Sequence, residues 1–62
     1  SNDIKSVEHY ENGNVREEGY YKNKKKDGTW IYYRPNGVEH FRTFHKDGIR
    51  QSTKFSNSIL AK

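Results

Sequence analysis

His9, His40 and His45 are the residues of this chain best suited to bind a metal or move a proton near neutral pH. His40 and His45 stand five positions apart, an odd spacing that sends them to opposite faces of an extended strand, and no second ligand lies at short spacing from either. They read as partly exposed strand residues. Glu17 and Glu18 are adjacent and therefore face apart, which is the wrong geometry for a paired-carboxylate acid/base site. No Gly-rich phosphate loop opens a helix, and Ser6, Ser52, Thr43 and Thr53 lack the neighbours that would activate a nucleophile. The chain has no cysteine, which removes thiolate chemistry, disulfides and thiolate metal sites. The expectation is no enzyme, no metal and no cofactor.

Two groups of residues point to binding instead. Lys22, Lys24, Lys25 and Lys26 cluster in sequence beside Tyr20, Tyr21, Tyr32 and Tyr33, a mixture of cations and rings that suits a phosphate backbone or anionic lipid headgroups. Against that, lysines at sheet margins also discourage aggregation, Asp27 dilutes the patch, and the net charge is only +4 with both signs interspersed. Nucleic acid or a membrane surface is therefore the lesser expectation. The second group is the aromatic residues, 15% of the chain and more than so short a sequence can enclose. Tyr10, Tyr21 and Trp30 are assigned to the core, and Tyr20, Tyr33 and Phe41 are the candidate partner-binding residues, because Tyr and Trp suit interface anchors.

The elements that must carry these residues are set by turn punctuation. Asn12-Gly13, Asn36-Gly37 and Asp47-Gly48 are dipeptides that tolerate positive φ at both centres of a type I′ hairpin turn. Asn23-Lys24 reads as a fourth copy with its glycine replaced, continuing through Lys25, Lys26, Asp27 and Gly28. Between them lie five segments rich in β-branched and aromatic residues, at 5–10, 15–22, 29–34, 38–45 and 49–55. No helical-length apolar stripe appears. The sequence predicts an all-β fold, an antiparallel meander of about five strands. In the third strand Trp30 and Tyr32 oppose Ile31 and Tyr33, which makes that strand central. A two-residue loop at Asn36-Gly37 would pair Arg34 with Glu39 and Tyr32 with Phe41, whereas a three-residue loop including Pro35 would shift that pairing by one.

The same spacing reveals an internal repeat of about 24 residues, with copies at about 9–32 and 33–55 inside one small domain spanning 1–62. Tyr10-Glu11-Asn12-Gly13 corresponds to Tyr33-Arg34-Pro35-Asn36-Gly37 with one residue inserted, and Trp30 finds an approximate counterpart in Phe55. A hairpin repeat buries its apolar face only by stacking on a neighbour. With hydrophobic residues at 29% of the chain, the sequence predicts a unit that is not self-sufficient and needs a partner, further repeats or self-association through its edge strands. The longest apolar run, Trp30-Ile31-Tyr32-Tyr33, is far below the roughly 20 residues of a membrane helix, and a soluble chain is expected. Ser1-Asn2, without an initiator Met, reads as a tag remnant, so earlier native sequence is expected. The tail at 56–62 is left open between an edge cap, a short turn started by Ser58, and a frayed end.

The run Tyr10-Glu11-Asn12-Gly13-Asn14-Val15-Arg16-Glu17-Glu18-Gly19-Tyr20-Tyr21-Lys22-Asn23, followed by Lys25-Lys26-Asp27-Gly28-Thr29-Trp30-Ile31-Tyr32-Tyr33, resembles the variant of the MORN (membrane occupation and recognition nexus) repeat common in bacterial antitoxin and immunity proteins. The resemblance covers roughly residues 7 to 50. In the second copy Arg42 stands where the pattern has Gly19, and Phe55 replaces the Trp. The resemblance implies stacked antiparallel hairpins, a binding role with a toxin as partner, and a location in the bacterial cytoplasm or, where a leader is removed, the cell envelope.

Overall fold

The computed structural model describes residues 3–56, which form five strands: β1 (Asp3–His9), β2 (Val15–Lys22), β3 (Lys25–Tyr33), β4 (Glu39–Lys46) and β5 (Ile49–Phe55). They lie side by side in chain order, each antiparallel to the next, as one meander sheet. The all-β antiparallel fold expected from the turns is the fold observed, and β3 is the central strand.

The four turns are of two alternating kinds. At Asn23 and Lys24 (φ +53° and +69°) and at Asp47 and Gly48 (φ +53° and +83°), both central residues are left-handed, the signature of the type I′ turn. At the other end of the sheet the loops hold three residues, and only their glycines, Gly13 and Gly37, have positive φ. There Tyr10 N–H donates to Asn14 O at 2.8 Å and Arg34 N–H to Val38 O at 2.8 Å. Asn12-Gly13 and Asn36-Gly37 are thus not type I′ turns. Asn12 Oδ1 accepts from Asn14 N–H and Asn36 Oδ1 from Val38 N–H, so each Asn closes its loop with its side chain.

The three-residue loop settles the β3–β4 register. Tyr32 pairs with Phe41, but Tyr33 rather than Arg34 pairs with Glu39, across an irregularity between Tyr32 and Tyr33. Arg34 sits in the loop base, and Glu39 is bonded instead by Arg42 Nε at 2.5 Å. The I′ turn at Asn23-Lys24 is shorter than expected, so β3 begins at Lys25, and Gly28 (φ +73°) lies inside the strand.

The repeat is visible in the pairing itself. Moved 24 positions along the chain, the pairs Ile4 with Tyr21, Ser6 with Gly19 and His9 with Val15 become Gly28 with His45, Trp30 with Thr43 and Tyr33 with Glu39, all of which are observed. The irregularity between Glu8 and His9 moves onto that between Tyr32 and Tyr33. The register therefore places Thr43, not Arg42, at the position of Gly19. Phe55 pairs with Phe41 as Tyr32 pairs with Glu17, so Phe55 takes the place of Tyr32 and not of Trp30.

The core is one side chain deep. Trp30 is completely enclosed and is the only large apolar residue buried among the described residues. Between the pairs Glu18–Ile31 and Tyr20–Asp27, Gly19 alone opposes Gly28, Thr29 and Trp30, a three-against-one bulge that gives β3 slack to fold its indole over β2. Gly19 has no side chain in the way: a Cβ there would overlap the indole. The indole N–H donates to Tyr20 O at 3.0 Å, and Tyr21 packs edge-on at 5.1 Å between ring centroids. In the second repeat Thr43 has the Cβ that Gly19 lacks, the β4–β5 irregularity skips only Gln51, and no second indole is present.

Candidate functional site

The two sheet faces carry different aromatic surfaces. On the Trp30 face, Tyr32 stacks on Phe41 at 4.6 Å with 17° between the rings, and Phe41 continues to Phe55 at 5.5 Å. His40 packs edge-on against Phe41 and Phe55 at 5.0 and 6.0 Å. These cross-strand contacts run over β3, β4 and β5 and end in the open, since Phe55 is 63% exposed.

On the opposite face Tyr20, 48% exposed, lies beneath the Lys5 ammonium at 5.5 Å. The Tyr33 hydroxyl donates to Glu18 at 2.5 Å, and that bond to a carboxylate, helped by burial, pushes its pKa up to about 12. Lys5, Glu18, Gly19, Tyr20, Thr29 and Ile31 line a shallow hollow here. Tyr20 and Tyr33 therefore share one face and Phe41 lies on the other, so the three candidate partner-binding residues are not brought together. Tyr32, Phe55 and His40, which complete the Phe41 surface, were not distinguishable from core or margin residues in the sequence.

The lysines do not share one loop. Lys22 and Lys25 face each other across the β2–β3 pair, and Lys24 holds the turn with them. Lys26 points onto the Trp30 face, with its ammonium 4.6 Å from the indole and 3.1 Å from the Tyr32 hydroxyl. Burial works against its charge, but the Tyr32 bond and nearby charges outweigh it and raise its pKa. Lys26 thus roofs the core and is withdrawn from the cationic group. The register adds Lys46 and Arg50, because Gly48 N–H donates to Lys26 O at 3.1 Å and sets the fourth turn beside β3. This end of the sheet carries Lys22, Lys24, Lys25, Lys46 and Arg50. Burial first, and then the Lys26 and Arg50 charges, lower the pKa of His45, whose Nε2 lies 2.8 Å from Thr43 Oγ1.

The structural turn residues Asn12, Gly13, Asn36, Gly37, Asp47 and Gly48 all stand in loops. The first loop also clamps one hairpin to the next. Asn12 Nδ2 and Asn14 Nδ2 donate to Pro35 O at 2.9 and 2.7 Å, and Tyr10 Oη donates to Tyr33 O at 2.6 Å. Among the described residues no three His, Cys, Asp or Glu side chains group to hold a metal, and no helix is long and apolar enough to cross a membrane.

Comparison with known proteins gives no match to this chain from family models, curated proteins or solved structures.

Proposed function

We propose that this chain is a non-enzymatic protein-binding module built from two MORN-like hairpin repeats, and that its partner is a toxin, as in the antitoxin and immunity proteins the sequence resembles. One observation carries the reading: among the described residues the single-layer sheet encloses one large apolar side chain, Trp30, and leaves the Tyr32–Phe41–Phe55 surface open on one face and Tyr20 on the other. Rings fixed by cross-strand packing offer large contact area with little freedom left to lose on binding. The test is a pull-down from the source cell with wild-type chain and the variants Tyr20→Ala, Phe41→Ala and Lys24→Ala/Lys25→Ala. Stoichiometric capture of one protein, lost in an aromatic variant and retained in the lysine variant, supports the reading. Capture lost only in the lysine variant contradicts it.

A second reading, binding of nucleic acid or an anionic membrane, is favoured by the juxtaposition of Lys22, Lys24 and Lys25 with Lys46 and Arg50 at one end of the sheet. Such binding falls steeply with salt, by a factor set by the phosphates neutralised. Affinity for a DNA duplex or anionic vesicles that is unchanged between low and physiological salt excludes it.

A further inference from the structure

The two edges of the sheet differ in how their charges are satisfied. On β1, Lys5 lies 3.9 Å from Glu18 and Glu8 lies 3.7 Å from Arg16, so both face partners on β2. β5 carries Arg50 and Lys54 and no acidic residue, and neither cation has an ion-pair partner among the described residues. Arg42, the cation of β4 beside Lys54 in the register, is already held by Glu39. Every residue of β5 is exposed, with Ile49 and Phe55 near two-thirds accessible at its two ends. No described strand pairs with its outer edge.

The repeat supplies the geometry of what fits there. β5 follows β4 through a type I′ turn as β3 follows β2, and the outer edge of β3 is covered by an antiparallel strand, β4. The same pairing is open to β5. Across an antiparallel pair, opposite charges stabilise and like charges repel. A second copy of this chain is a poor occupant: its β5 brings the same cations, and its Glu8 is engaged by Arg16.

We infer that the outer edge of β5 is a docking edge for an extended protein segment, with acidic side chains opposite Arg50 and Lys54 and an apolar one beside Phe55, which joins the sheet as a sixth antiparallel strand. This rests on the protein-binding reading and names its edge and the chemistry of its partner. Main-chain bonds supply the affinity, and the two cations select the sequence.

The experiment uses the full chain and three labelled nine-residue probes. One is the acidic peptide Thr-Val-Glu-Glu-Thr-Val-Glu-Glu-Thr, the second has Lys in place of each Glu, and the third is the acidic peptide with Pro at its centre. Binding is followed by anisotropy, and the contact is located by amide hydrogen exchange. The acidic peptide is expected to bind about tenfold more tightly than the lysine one, from two charge pairs changing sign. It protects amides of residues 49–55, and the charge-reversed variant Arg50→Glu/Lys54→Glu prefers the lysine peptide. Equal binding of both charges, protection confined to β1 or to a face, or undiminished binding of the proline peptide overturns the inference. The two levels separate in the cellular pull-down. A partner lost with Tyr20→Ala but unaffected by Arg50→Glu/Lys54→Glu overturns the β5 edge and leaves the protein-binding reading standing. Capture lost only with the lysine variant strikes the reading itself.

Discussion

Gly19 and Trp30 share one site: the indole occupies the space a Gly19 side chain would need. This relation fixes how β2 and β3 pack and supplies the only enclosed large apolar side chain of the described sheet. Gly19→Ala places a methyl group inside the ring and must expel it, an overpacking cost of about 2–3 kcal/mol. The expected result is a red-shifted, water-exposed Trp30 fluorescence spectrum and loss of strand signal in circular dichroism. The control Thr53→Ala, on exposed β5, leaves both unchanged.

Lys24 is a non-glycine residue at φ +69° in the second position of a type I′ turn, where glycine is preferred. Lys24→Gly is expected to raise the denaturation midpoint by about 0.5–1 kcal/mol of stability, the strain of a left-handed side-chain residue less the entropy of the freer chain. Gly13→Ala, at φ +95° in a three-residue loop, is expected to lower it. Chemical denaturation of the two variants beside wild type checks both signs.

Tyr33 ionises late because its hydroxyl donates to the Glu18 carboxylate and is partly buried, moving its pKa from 10.0 to about 12. A raised folded-state value means that this contribution to stability is complete below pH 10 and fades as pH rises toward 12. Ultraviolet titration is expected to show an ionisation phase centred near 12. Glu18→Gln removes that phase, and its persistence in the variant would assign it elsewhere.

His45 behaves in the opposite sense. Burial, then the charges of Lys26 and Arg50, hold its pKa below the ordinary 6.5, so its neutral form is the one the fold accommodates. The associated stability is present above pH 6.5 and is lost as pH falls through the folded-state value. Denaturation midpoints measured from pH 7.5 down to 5 should decline, and His45→Gln should flatten the decline.

Turns and strands were legible because Asn-Gly, Asp-Gly and alternating rings are local signals. The class of turn was not, since Asn-Gly serves both a type I′ turn and the end of a three-residue loop; what separates Gly13 from Gly48 is one extra residue before the Asn. The three-against-one bulge opposite Gly19 left no mark in the spacing. Matching Tyr10 to Tyr33 by letter runs at an offset of 23 and puts Arg42 at the place of Gly19, whereas the strand pairing repeats at 24 and puts Thr43 there. The four clustered lysines looked alike in sequence, yet the Trp30 and Tyr32 rings draw Lys26 out of the group, while pairing across the sheet brings in Lys46 and Arg50. Of the aromatics singled out in the sequence, Tyr20 is exposed while Tyr33 and Phe41 are half-buried, and the face each one occupies depends on the register.

Amide hydrogen exchange of the isolated chain tests most directly whether this one-layer sheet needs a partner to complete it. Amides of β1 and β5 are expected to exchange almost as fast as in an unfolded chain, and those of β2, β3 and β4 to open at no more than about 3 kcal/mol. Uniform protection of all five strands at about 5 kcal/mol or more, the range of self-sufficient domains, would contradict it.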